Sequence, residues 1–351
     1  TAGSFFINPR LQRHFVTFAN GMPGPQSLTT IFSTFLDGHL HNFSDDIKNI
    51  SKNCVTAALA MDVAMTKGFK KTAKNFYYQF NMRHIAGIFQ GIMMSKPEVF
   101  DGNPTKFALL FLHEAERIYG DRLVSIKDVA AYQKLAGNIG KSKFPFAAAE
   151  IGQYFGAAEA KPLIMCHMAK GADSLSYDQS DDMKTLSSIL KATLAKYNDE
   201  NAAMDLVLFE DAVRHICRIS RIVMQPGGHA LLVGVGGMGK RSLARLAAYI
   251  CQFHLETITI TQTYGIADLK EDLQKYYWKA GVKGQGVMFL FTDSQITKER
   301  FLIYINDLLA SGRIPDLYEI DQKDEVINSL TKEAKANGID PEPAAVWEYF
   351  F

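Results

Sequence analysis

The sequence predicts two units: an all-helical one over residues 1–135, and over 201–351 an α/β one whose parallel sheet carries helices on both faces. Three observations predict this. Residues 231–246 read LLVGVGGMGKRSLARL: an apolar strand, a glycine-rich turn, a lysine and an amphipathic helix. After Met204, apolar strands alternate with stretches of helical spacing, the pattern of a parallel sheet covered on both faces. Between about residues 20 and 135, apolar positions recur at helical spacing with no strand alternation.

The elements follow in order. Asn8 and Pro9 mark a helix or turn start, before the cluster Arg10, Arg13 and His14. Ser27 can cap a helix carrying Leu28, Ile31, Phe32 and Phe35. Residues 53–70 make an amphipathic helix, Arg83–Met94 a second, and Asn103–Tyr119 a third with Phe107, Leu110, Phe111 and Ala115 inward. Residues 136–200 are richer in Gly, Ser and Asp and read as a linking region, ending in a helix from Met183. The stretch LVLFEDAVRHICRISRIVM reads as a helix, and Leu231, Leu232 and Val233 suit a buried strand. ETITITQ (256–262) alternates like a strand, and GVMFLFTDSQ (286–295) is strongly apolar up to Asp293. Helices cover 267–281 and 299–312, the second ended by Gly312.

Composition narrows the function. A net charge of +1 gives no electrostatic attraction to nucleic acid or an acidic membrane, and no apolar run reaches the roughly 18 residues of a membrane span. The four cysteines and the scattered histidines lack metal-ligand spacing, so reduced thiols are expected. The chain opens on Thr1 and stops inside AAVWEYFF, which reads as a piece of something longer.

The chemistry concentrates at Gly234, Val235, Gly236, Gly237, Met238, Gly239 and Lys240. This is the G-x4-G-K core of a P-loop, with Arg241 and Ser242 after it. Inward N–H groups, a helix N-terminus and a lysine charge all favour phosphate. The position after the lysine should carry a Ser or Thr hydroxyl for Mg²⁺, but here it is Arg241. Ser242 cannot inherit the role, because one helical step turns a side chain by about 100°. Asp293, at the end of an apolar strand, is the candidate metal carboxylate. A catalytic Glu is expected directly after it; Ser294 stands there, followed by Gln295, which can orient a water but not take its proton. The phosphate cradle is kept and both catalytic refinements are missing. A site that binds ATP or ADP and turns it over slowly or not at all is expected, with Mg²⁺ as an optional companion.

The stretches GGHALLVGVGGMGKRSLARLAAYI, FLFTDSQITKERFL, INDLLASGRIPDLY and MDLVLFEDAVRHICRISRI closely resemble the fourth AAA+ module of axonemal dynein heavy chains. TAGSFFINPRLQRHFVTFA, FNMRHIAGIFQGIM and FLHEAERIYGDRL resemble the closing part of the third module. The look is more that of outer-arm chains. The resemblance implies a large AAA+ subdomain after a helical small subdomain, in a microtubule motor of the ciliary or flagellar axoneme whose six modules form a ring. It implies neighbouring AAA+ modules, microtubules and dynein intermediate and light chains as partners, a coiled-coil stalk beyond Phe351, and no nucleic acid or membrane. It gives Arg13 the place of an arginine finger to the neighbouring module, with Arg10 as fallback, and Arg83 that of a sensor-II residue. Val207, Leu208 and Phe209 resemble the segment that packs on adenine. The competing readings are a purely structural ring module and an unrelated P-loop kinase; the kinase needs an acceptor pocket and a base that the sequence does not offer.

Overall fold

The computed structural model describes residues 7–19, 21, 23–156 and 160–351, so the TAGSFF opening lies outside the described residues. Helix Pro9–Gln12 begins where Asn8 and Pro9 predict. The Asn8 side chain accepts the Arg10 N–H at 2.9 Å, and proline takes a first-turn position that needs no donor. Helices Pro25–His39, Ser51–Gly68, Met82–Ile92, Pro104–Ile118, Ile126–Lys143 and Ala148–Tyr154 then enclose one apolar core. Phe107, Leu110, Phe111 and Ala115 are all buried in it, as their spacing predicts. Ser27 is not a cap: the helix starts at Pro25 behind Gly24, and proline's preset φ decides the start. The helical unit also runs past residue 135, which falls inside helix Ile126–Lys143, and reaches Tyr154.

A short antiparallel pair, Met165–Cys166 with Asp178–Gln179, joins the halves. Successive strand residues face opposite ways, so Met165 enters the helical core and Cys166 a second core. That second core lies among helices Met183–Glu200, Glu210–Val223 and Lys240–Ile250. Strands His254–Glu256 and Val287–Phe289 pair in parallel, joined through helix Ile266–Gly281. Met288 packs against the second core; Phe289 and Phe291 pack against a third, built from Leu269, Leu273, Phe301, Val326 and Leu330. The sheet therefore has helices on both faces, as predicted. It is shorter than predicted and shifted: of the expected strand 256–262 only Glu256 is paired, the ladder begins two residues earlier at His254, and a strand persists only while a partner is opposite. The ladder ends where Leu290 N–H donates to Glu256 O at 2.8 Å.

The expected buried strand Leu231–Val233 is corrected for the same reason. The segment is extended but unpaired; Leu231 and Val233 are 88% and 86% exposed, and only Leu232 packs on the second core. Likewise residues 205–209 are not helical, their burial alternates, and the helix expected from Leu206 begins at Glu210.

A buried ion pair ties the helical half to the α/β half. Arg221, on helix Glu210–Val223, donates through both Nε and Nη2 to Glu114 on helix Pro104–Ile118. Tyr177 Oη donates to Glu114 Oε1 at 2.5 Å, and His113 Nδ1 lies 3.1 Å from the same oxygen. Gly91 makes room: a Cβ there would meet Glu114 Oε2 at 1.8 Å. Nearby, Arg218 Nη2 donates to Asp121 at 2.9 Å across the same junction. Burial opposes ionisation of Glu114, but Arg221 and the hydrogen bonds outweigh it and hold the carboxyl at about 2. Burial pushes the imidazoles of His113 and His167 down to about 4, so both are neutral at pH 7.

Two predictions follow from this junction. Arg221→Met leaves a buried carboxylate unpaired and lowers the local opening free energy of helices Pro104–Ile118 and Glu210–Val223 by about 3–5 kcal/mol. Native-state amide exchange reads this, and protection unchanged from wild type would refute it. The second concerns acid. The histidines have folded pKa values below their unfolded ones, so their contribution is full above about pH 6.5 and fades as pH falls toward 4. The Glu114 contribution fades below that, as pH falls from about 4.5 toward 2. At pH 5 each histidine costs up to about 2 kcal/mol of junction stability relative to pH 7.5. Exchange protection corrected for intrinsic rates checks it, and His113→Gln should flatten the pH dependence.

Candidate nucleotide site

The P-loop turns on Gly237 and Gly239, at φ of 82° and 76°, a left-handed backbone that side-chain-bearing residues enter only at a cost. Helix Lys240–Ile250 begins directly after Gly239, with no side chain capping its first turn. Its free N–H groups and dipole thus face the loop, the arrangement that attracts an anion. Leu243, Leu246, Ala247 and Ile250 are buried at the predicted spacing and seat the helix on the second core. Lys240 Nζ turns back to donate to Gly234 O at 2.5 Å and Val235 O at 2.9 Å. Its charge is held at the loop's mouth by groups that a phosphate oxygen can displace.

The apolar strand Val287–Phe289 delivers Thr292 to Gln295 to the same place. Asp293 opens a single 3₁₀ turn, Asp293–Gln295, and its carboxylate is exposed. Across the gap, Arg241 Nη2 donates to Thr292 Oγ1 at 3.2 Å and Ser294 Oγ at 2.9 Å. The two positions that depart from the P-loop pattern therefore touch. Sequence flagged each alone; nothing in linear order signals that they meet. The Gln295 side chain is engaged by protein: its amide donates to Thr257 Oγ1 and Ile258 O at 2.9 and 2.6 Å and accepts from Thr292 N–H at 2.8 Å. It sews the two parallel strands together just beyond their ladder.

In the segment 205–209, alternate residues face inward. Leu206 and Leu208 pack on the second core, while Val207 is 73% exposed. Leu206 Cδ1 lies 3.7 Å from where a Cβ on Gly239 would stand, so this segment does run beside the loop. Sequence reasoning missed Leu206; the alternation of a strand, had 205–209 been read as extended, would have found it. Arg13 is exposed with Nε 3.3 Å from His14 Nε2; Arg10 is exposed too, and Arg83 is exposed in the first turn of helix Met82–Ile92. Among the described residues none of the three hydrogen-bonds to the P-loop. Ser242 is half-buried one step into the helix.

Residues 204–351 match the family model described as P-loop containing dynein motor region D4, and residues 54–153 that of the AAA+ lid domain. The dynein alpha chain of the flagellar outer arm of Chlamydomonas reinhardtii is 53% identical over 350 residues. Dynein axonemal heavy chain 17 of Homo sapiens is 46% identical, and the ciliary dynein beta chain of Tripneustes gratilla 44%, each over 352 residues. The chain belongs to the axonemal dynein heavy chains. Each of the three alignments covers 100% of this chain, which spans 8% of the relative's length. The P-loop of this dynein segment thus lies in the part matched to region D4, and most of the core of its helical half in the part matched to a lid.

The contacts of Gln295 yield a prediction. Gln295→Ala removes the stitch between the strands and leaves Ile258 O and the Thr292 N–H without their partner, costing about 1–3 kcal/mol of local stability. Faster exchange of the amides around Thr257 and Leu290 checks this; if the side chain served only to orient water, those amides would not change.

Proposed function

We propose that this segment is a nucleotide-binding, hydrolysis-poor module in the ring of a microtubule-based, ATP-driven motor of cilia and flagella. It would bind ATP or ADP through Gly234 to Ser242, with Lys240 on the outer phosphates and the Val207–Leu208 stretch beside the base. Among the described residues Asp293 is the carboxylate at the strand end that a metal, were one bound, would need. No general base stands next to it, since Ser294 cannot take a proton from water. Arg13 serves the neighbouring module as a finger stabilising γ-phosphate charge, and Arg83 serves as a sensor for the nucleotide of its own, third module. The parent chain would bind microtubules and the dynein intermediate and light chains, and the module would regulate or brace the ring. The observation that carries the reading is the Arg241–Ser294 contact at 2.9 Å, which sits where metal-assisted hydrolysis would need a hydroxyl and a carboxylate.

The purely structural alternative draws on one fact: Lys240 is satisfied by its own loop carbonyls. Photolabelling of the intact heavy chain with an azido-nucleotide, mapped to the peptide 231–246, separates the two. Label is expected there, and Lys240→Ala should weaken it roughly 10- to 100-fold, the worth of one charge-assisted contact. Recovery of the trapped nucleotide unconverted over many motor cycles is expected. Brisk conversion at this peptide would refute the hydrolysis-poor reading, and no label in saturating nucleotide would leave the structural module.

A further inference from the structure

We infer that Arg241 takes the place of the divalent metal, so that this site binds a nucleoside di- or triphosphate in its metal-free form. The inference rests on the nucleotide-binding reading above and specifies what that site accepts. The guanidinium spans the gap between the N-terminus of helix Lys240–Ile250 and the turn that carries Asp293, held by Thr292 Oγ1 at 3.2 Å and Ser294 Oγ at 2.9 Å. A metal in that gap would have to be coordinated by oxygen. Yet both hydroxyls already accept from Arg241, the hydroxyl expected after the lysine is absent, and the guanidinium is held on the two residues that flank Asp293, the carboxylate of the turn. Magnesium needs near-octahedral oxygen ligation. The residues present do not fit it.

They do fit a phosphate. Among the described residues only Nη2 of the guanidinium hydrogen-bonds, so Nε–H and the Nη1 donors remain, on an exposed side chain that directly follows Lys240 in the chain. A guanidinium fork matches two phosphate oxygens at once. The serine at 294 now has a reason. A glutamate there would pair with Arg241 and cancel its charge, whereas a hydroxyl positions the guanidinium and leaves the charge for the ligand. The two departures from the P-loop pattern are thus one device: a fixed cation with a neutral holder.

The test uses the intact heavy chain, azido-ADP and azido-ATP as probes, and label mapped to the peptide 231–246, in Mg²⁺ and in EDTA. Equal label in the two conditions is expected, together with loss of label in both for Arg241→Met. The pair Arg241→Thr with Ser294→Glu, which restores the usual pattern, should make label fall by about tenfold or more in EDTA. A wild-type label lost in EDTA would overturn the inference while leaving nucleotide binding intact. So would Arg241→Met that labels normally in EDTA. Absence of label in every condition would remove the nucleotide-binding reading itself. A structure of the nucleotide-soaked heavy chain gives the independent readout: guanidinium on phosphate is expected, and a metal ion ligated by Asp293 would overturn the inference.

Discussion

The buried pair of Glu114 and Arg221 is the constraint on which the arrangement of this chain depends. Taking two charges out of water costs more than their attraction returns unless every remaining lone pair and proton finds a partner. Here Glu114 receives Arg221 through two nitrogens, Tyr177 through its hydroxyl, and sits against His113. Gly91 is the space this carboxylate occupies. Such a pair is weak evidence for added stability and stronger evidence for specificity, since only one docking of the two halves satisfies it. It selects that docking among the many that two apolar surfaces would allow.

The helix bearing Arg221 also packs on the P-loop helix, burying Ile216 and Val213 in the same core as Leu243 and Leu246. One element therefore touches the lid-like half through a charge and the helix that follows the nucleotide loop through apolar contacts. This gives the loop and the helical half a continuous mechanical connection, in which a shift of helix Lys240–Ile250 must be taken up by helix Glu210–Val223. It does not make the site allosteric by itself. That needs two states of the junction and a ligand that prefers one of them.

Much of this was legible in the linear sequence, and for physical reasons. Helices announce themselves by which residues they bury, so Phe107, Leu110, Phe111 and Ala115, and Leu243, Leu246, Ala247 and Ile250, were readable from spacing, while the burial of His113 and Glu114 between them was not. The phosphate loop was readable because glycine, lysine and a helix start have few other reasons to occur in that order. What failed were statements that depend on partners elsewhere in space. Leu231–Val233 has strand composition, but a strand is a pairing, and among the described residues none lies beside it. Gln295 looked like a free amide, and its two strand partners lie 37 and 38 residues away. Arg221 and Glu114 are 107 residues apart and carry no local pattern that would join them.

The unpaired P-loop segment changes how the loop is held. In a paired strand, ladder hydrogen bonds would fix the approach to the glycines. Here, among the described residues, Leu232 and Leu206 pack from one side and helix Lys240–Ile250 holds from the other. The hydrogen bonds of Arg241 to Thr292 and Ser294 are then more than a charge placed near a phosphate. They tie the start of the loop's helix to the turn that follows strand Val287–Phe289, the two ends between which a phosphate must sit. An arginine can do both at once because its planar fork has donors to spare after two are committed. A serine or threonine in its place would have no such reach, and its lone hydroxyl would leave the bridge to a metal ion. The same substitution that removes a metal ligand thus supplies the structural tie that the missing ligand would otherwise have made through the metal.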